Sequence, residues 1–292
     1  MRILLLHNPG AGRGDMPKDA LVRLFEAAGH GVVYRSTKTD AIDPGDALAA
    51  DVVVVGGGDG TVCKAVRALE GAARRIAVAP LGTANNIAHA LGLMAPPEAV
   101  AQGLDAARER HLDVGVAEGP WGRRRFIEAV GVGLIAELVA NGKGRGFGDK
   151  EREAYDRQAP QELLAKATPR RWRAATDGAA LGEELLMLEA LNIPISGPGL
   201  RLVGPERAGE GRLDVATLAP ERQEAMAAWF ETDRRAAPDA LDVRRARQMT
   251  FEWSGGPLRI DDHFPDQPKE PSRVVARLEA EPLRILVPPA AE

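Results

Sequence analysis

Asp59 follows three glycines, Gly56-Gly57-Gly58, and precedes Gly60-Thr61. Glycine carries no Cβ to hold a ligand away, so the backbone N–H groups of such a turn can close on phosphate oxygens. A carboxylate beside phosphates repels them unless a cation lies between, so Asp59 reads as a ligand of nucleotide-bound Mg²⁺. The glycines end the run Val52-Val53-Val54-Val55, β-branched and without polar alternation, as expected of a parallel strand covered on both faces. Beyond the turn a helix is expected from about Thr61 to Leu69, with Thr61 as its cap and its positive N-terminal end aimed at the same phosphates.

Two further loops have the same construction. After a strand over Ile3 to Leu6 the chain reads His7-Asn8-Pro9-Gly10-Ala11-Gly12-Arg13-Gly14, then an amphipathic run from Lys18 to Ala28. After Ile76 to Ala79 comes Pro80-Leu81-Gly82-Thr83-Ala84-Asn85-Asn86-Ile87-Ala88, where Thr83 or Asn85 can cap a helix running to Leu91. In an open parallel sheet, ligands bind beyond the carboxyl ends of the strands, so three strand-to-helix glycine loops converge on one crevice.

The set NPGAGRG, GGGDGT and PLGTANNIA, in this order and spacing, resembles the diacylglycerol kinase catalytic family, which includes bacterial lipid kinases and sphingosine kinases. Residues 126–139 (FIEAVGVGLIAELV) are similar to the opening of that family's second domain, and 197–215 to its glycine-rich segment ending in a leucine-aspartate strand. Leu258-Arg259-Ile260-Asp261-Asp262-His263 falls where the family has an Asp-Gly-Glu motif. The resemblance implies ATP- and Mg²⁺-dependent phosphorylation of a lipid hydroxyl, diacylglycerol or a related lipid. It assigns Asn8, Pro9, Gly10, Ala11 and Gly12 to the first nucleotide loop and Gly57, Gly58, Asp59, Gly60 and Thr61 to the phosphates. Thr37, Thr83 and Asn85 are further nucleotide contacts on this basis.

The departures from the family concern charge. Its proton acceptor is the glutamate of Asp-Gly-Glu, and His263 stands there; an imidazole with an ordinary pKa of about 6.5 can take a proton near neutrality, and Asp261 is the other candidate base. Asn86 replaces a common aspartate. Gly209-Glu210-Gly211 replaces an Asp-Asp-Gly turn that helps hold a structural Mg²⁺ in some members, which leaves Glu210 as a candidate metal ligand. Two other readings stand beside the lipid kinase. One is an NAD kinase-like enzyme, which shares a GGDG loop; the other is a nucleotide-binding regulator that has lost catalysis.

A length of 292 residues allows two domains with cores of their own, and a net charge of −4 argues against general nucleic-acid binding. The single cysteine, Cys63, reads as a packing residue, and the start of the chain runs directly into a strand, so a cytoplasmic protein is expected, contacting its lipid peripherally and with no apolar run long enough to span a membrane. One candidate contact is the basic loop Asn141 to Lys150 with Phe147. Strands alternate with helices up to Leu112, as in a doubly wound α/β domain over 1–112 with a mostly parallel sheet. Residues 113–292 read as a mainly antiparallel β domain that binds the acceptor, with a helix at Arg222 to Glu231. The resemblance implies that the last strand, Leu283 to Val287, returns to the first domain.

Overall fold

The computed structural model describes residues 1–12, 14–72, 75–145, 149–182, 184–204 and 210–289; Phe147 and Gly209, both named above, lie outside them. Contacts divide the chain into two units, Met1–Asp113 with Glu281–Glu292, and Val114–Ala280.

The first unit is built on β1 (Arg2–His7), β2 (Gly31–Ser36), β3 (Val52–Gly57), β4 (Ile76–Pro80) and β5 (Arg108–Leu112), joined by the last strand of the chain, β19 (Leu283–Val287). Their order is β2-β1-β3-β4-β19-β5. All neighbours are parallel except β19 and β5, and Leu5 stands opposite Val54 in the β1–β3 register. Apolar strands buried on both faces need cover on both, and the helices provide it: α1 (Lys18–Ala27), α2 (Pro44–Ala49), α3 (Asp59–Ala68), α4 (Asn86–Leu91) and α5 (Pro97–Gly103). Leu21 and Phe25 of α1 pack with Ile3, Leu5, Val52, Val54 and Val100 in one core. From β1 the chain winds outward to β2 and then returns to β3 on the other side, so a switch point falls between the loops that leave β1 and β3.

The second unit has two antiparallel sheets. One, ordered β10-β9-β16-β18-β6-β7, contains β6 (Gly115–Gly119), β7 (Gly122–Phe126), β9 (Ala175–Thr176), β10 (Ala179–Ala180), β16 (Gln248–Trp253) and β18 (Ser272–Leu278). The other, β15-β14-β11-β8-β17, contains β8 (Ala129–Gly133), β11 (Met187–Leu191), β14 (Leu213–Leu218), β15 (Asp242–Ala246) and β17 (Leu258–Ile260). Side chains from both, among them Phe126, Val132, Leu188, Phe251 and Trp253, form a shared core with Trp172. A second core lies under α6 (Leu134–Gly142), α7 (Asp149–Lys166) and α8 (Gln223–Phe230). A small hairpin, β12 (Ile195–Ser196) with β13 (Leu200–Arg201), carries Gly197 and Gly199, the first two glycines of the glycine-rich segment.

One expectation changes here. Of the segment read as a basic loop, Asn141 and Gly142 end α6 and Asp149 and Lys150 begin α7, and two of its cations are engaged: Lys143 Nζ donates to the Asp262 carbonyl at 2.7 Å and lies 5.3 Å from the Phe264 ring centre, while Arg145 stacks at 5.6 Å on Tyr155. In the family-like segment that starts at Phe126, β7 ends at Phe126 and β8 begins at Ala129.

Candidate active site

The loops after β1, β3 and β4 leave parallel strands and therefore share one edge of the first sheet. Main-chain bonds fasten them to one another: Asn8 N–H donates to Gly56 O at 2.9 Å, and Leu81 N–H to Gly57 O at 3.0 Å. Gly12 and Gly82 are required by this closeness. Gly12 has φ +58°, and a Cβ there would lie 2.5 Å from the Leu81 carbonyl oxygen; one on Gly82 would lie 2.5 Å from Gly58 Cα. Thr37, at the end of β2, is buried against the same edge, its N–H and hydroxyl both donating to His7 O at 2.8 and 3.3 Å. Thus Asn8 to Gly12, Thr37, Gly57 to Thr61, Thr83 and Asn85 all belong to one edge of one unit.

The helix caps differ from those expected. Thr61 lies inside α3, buried, with Gly58 at the N-cap. Asn85, in the left-handed region at φ 48°, holds its own loop: its Oδ1 accepts the Gly82 N–H at 2.9 Å and its Nδ2 donates to Gly82 O at 2.7 Å. Thr83 is exposed and makes no cap. α4 is capped from the neighbouring loop. Asp59 Oδ2 accepts the Asn86 N–H at 2.9 Å and Oδ1 accepts the Ile87 N–H at 2.8 Å. Two amides at a helix N-terminus stabilise an ionised carboxylate, so Asp59 is held as an anion at the glycine turn.

Lysines missed in the sequence stand near these loops. Lys64 Nζ donates to Thr37 O, and Lys38 Nζ lies so close over Gly10 that a Cβ there would overlap it. A signal was available for one of them: Lys64 lies one helical turn beyond Gly60. His7, at the end of β1, is fully buried, with Nδ1 3.2 Å from Tyr34 Oη and no hydrogen-bond partner at Nε2. Burial holds its pKa below the usual histidine value and raises that of Tyr34.

The residues expected on the acceptor side, Asp261 and His263, belong to the second unit. Ile260 and His263 exchange both main-chain bonds, Ile260 N–H to His263 O at 2.8 Å and His263 N–H to Ile260 O at 3.0 Å, so Asp261 and Asp262 form the tip of a tight turn. Asp261 has φ 54° and is 3% exposed. Its Oδ1 accepts Glu128 N–H at 2.8 Å and Ile127 N–H at 3.1 Å, while its own N–H donates to Ala129 O at 2.8 Å. Asp261 therefore anchors the turn to the start of β8, whereas His263 is half-buried and Asp262 exposed. Glu210 is bonded by Arg245 Nη2. Among the described residues no group of three or more His, Cys, Asp or Glu is placed to hold a metal.

Fold and loops together define a protein whose first unit is α/β, with three glycine loops on one edge of a mostly parallel sheet, and whose second is an antiparallel β unit. Residues 2–117 match the family model of the diacylglycerol kinase catalytic domain. A diacylglycerol kinase of Bacillus subtilis (strain 168) is 27% identical over 231 residues, covering 74% of this chain and 73% of that protein. A diacylglycerol kinase of Mycobacterium tuberculosis (strain ATCC 25618 / H37Rv) is 26% identical over 291 residues, with 95% and 94% covered. A crystal structure of a diacylglycerol kinase from Bacillus anthracis str. Sterne superposes with a TM-score of 0.67 at 17% identity, covering 100% of this chain and 98% of that one, which shows the same fold.

Proposed function

We propose that this chain is a lipid kinase that transfers the γ-phosphoryl group of ATP to the hydroxyl of diacylglycerol or a related lipid. The observation that carries this reading is the fastening of Asp59, on the glycine turn, to the N-terminus of α4: a fixed anion stands where three glycine loops meet.

Phosphoryl transfer asks mainly for positioning and charge neutralisation. In this proposal the amides of Gly57 to Thr61 and the loop Asn8 to Gly12 hold the phosphates, with Thr37, Thr83 and Asn85 beside them. Lys38 and Lys64 add positive charge. Asp59 fits Mg²⁺ by the chemistry of its donors, since carboxylate oxygens are the hard ligands this ion takes. When bound with the nucleotide, Mg²⁺ supplies neutralisation of the phosphate charge. No metal is placed at Glu210, whose carboxylate serves Arg245.

The proposal gives the acceptor's proton to His263 and leaves Asp261 to hold the turn, because the Asp261 carboxylate is buried against two amides. Among the described residues no helix is long and apolar enough to cross a membrane, so the lipid is met by peripheral contact in this reading. Purified protein with γ-labelled ATP, Mg²⁺, a lipid extract and, separately, NAD tests it. Label in a lipid is expected. Label in NAD alone would give the NAD kinase reading, and ATP binding without transfer to either would give the regulator.

A further inference from the structure

Arg259 is one of the largest side chains buried in the second unit, and it is charged: its side chain is 1% exposed. Four segments meet on its guanidinium. Nε lies 3.3 and 3.4 Å from the two carboxylate oxygens of Glu189 in β11, and Nη1 donates at 2.9 Å to Glu128 Oε1, just before β8. Nη1 also reaches the Asp261 carbonyl oxygen at 3.3 Å, and Nη2 donates to Ser196 Oγ in β12. Glu128 extends the network, since its Oε1 accepts the Gly197 N–H at 2.8 Å, and the Asn192 side chain donates to Ile127 O at 2.9 Å.

Such a cluster is not explained by stability. Buried ion triads can be replaced by apolar side chains at little or no cost, because desolvation consumes most of what the charges gain from one another. The chain also makes room for this one: Gly131 faces Glu189 so closely that a Cβ would stand 2.5 Å from its Cδ. Burial alone would lower the Arg259 pKa, but the charges of Glu189 and Glu128 outweigh it, so the guanidinium stays protonated. Burial raises the pKa of Glu189 against the pull of Arg259.

What the network does is geometric. Arg259 immediately precedes the Ile260–His263 turn and bonds to the main chain inside it. Through Glu128 and Ser196 the same guanidinium grips the hairpin that carries Gly197. We propose that Arg259 is a positioning residue for phosphoryl transfer: it fixes the turn bearing Asp261 and His263 relative to the Ser196–Gly197 hairpin, so that the acceptor-side base has one orientation. The proposal rests on the lipid-kinase reading of this site. It assigns a role to Arg259, Glu128 and Ser196, none of which touches the reacting atoms.

The test is steady-state kinetics of the full chain with ATP, Mg²⁺ and diacylglycerol in mixed micelles, for wild type, Arg259→Lys, Glu128→Gln and Ser196→Ala, with thermal unfolding of each. A lysine keeps the charge but cannot span three acceptors. A fall in kcat of about tenfold or more is expected for Arg259→Lys and of about threefold to tenfold for the other two, with KM for ATP within about twofold of wild type because the nucleotide loops belong to the other unit. Should Arg259→Lys fail to fold, Ser196→Ala, which removes a single hydroxyl, decides the matter. Folded variants with wild-type kcat would overturn the positioning role while the wild type's own activity upheld the kinase. A wild type that phosphorylates no lipid would overturn both.

Discussion

The carboxylate of Asp59 caps a helix it does not belong to: Oδ1 accepts the Ile87 N–H at 2.8 Å while Oδ2 takes that of Asn86 at 2.9 Å. The loop after β3 and the helix after β4 are thereby one object. One carboxylate at the glycine turn thus satisfies two of the donors that every helix N-terminus leaves open. The residue at the N-cap position, Asn85, is spent on Gly82 instead.

Asp59→Asn is therefore expected to cost stability as well as function. An amide oxygen can accept from one N–H, but the amide nitrogen turned toward the other is a second donor, leaving one buried N–H unmet at about 1–2 kcal/mol. A lowered midpoint in urea unfolding, with an unchanged slope, checks this. No shift would mean that α4 does not depend on Asp59.

Gly82→Ala probes the closeness of two glycine loops. The new methyl would stand 2.5 Å from Gly58 Cα, a main-chain atom that cannot turn aside, so the loops must part. A loss of ATP affinity of tenfold or more is expected by calorimetry, with a stability loss of about 1–3 kcal/mol. Affinity equal to wild type would show that the contact between Gly58 and Gly82 does not shape the nucleotide site.

Asp261→Asn separates anchor from base. The substitution aims an amide donor at the Ile127 or Glu128 N–H in a buried place, for an expected loss of about 2 kcal/mol. His263→Ala should leave the unfolding midpoint nearly unchanged and lower kcat instead. Denaturation and turnover measured on both variants give the answer, and the reverse pattern would return the proton to Asp261.

His7 makes stability depend on pH. Its folded-state pKa is lowered by burial, so between that value and the ordinary value of about 6.5 the unfolded chain binds more protons than the folded one. The stability that His7 confers is complete above about pH 6.5 and is lost as pH falls through the folded-state value. Glu189 and Asp156, both raised by burial, act in the opposite sense in mildly acidic solution. The difference between wild type and His7→Phe in unfolding free energy, followed from pH 8 to pH 5, isolates the imidazole; it should shrink or reverse toward acid, and a constant difference would show that His7 does not titrate on unfolding.

Much of the first unit could be read from the chain because its signals are local. Valine runs, glycine turns and the amphipathic stretch after Lys18 each sit within a dozen residues, and β1, β3 and β4 fall within two residues of expectation. Asp59 was legible as a carboxylate at a glycine turn, but its capping of α4 was not, since that bond joins positions 27 and 28 residues apart. α7 escaped because charges surround it, it contains Pro160 and it follows a glycine-rich stretch, although Tyr155, Ala159 and Leu163 form a stripe at a spacing of four. The Arg259 network left a trace that was passed over: Glu128, Glu189 and Arg259 are lone charges within apolar runs, a pattern that means exposure on an alternating strand or a buried partner far away. Only three-dimensional pairing decides between these, and here it gives the partner.

If the Asp59 site in the first unit drives phosphate onto a lipid, the decisive measurement is transfer from γ-labelled ATP to diacylglycerol in mixed micelles, wild type beside Asp59→Asn. Wild type is expected to label the lipid in a Mg²⁺-dependent manner and folded Asp59→Asn to do so at least a hundredfold more slowly. Equal labelling by both proteins, or none by a wild type that binds ATP, would contradict it.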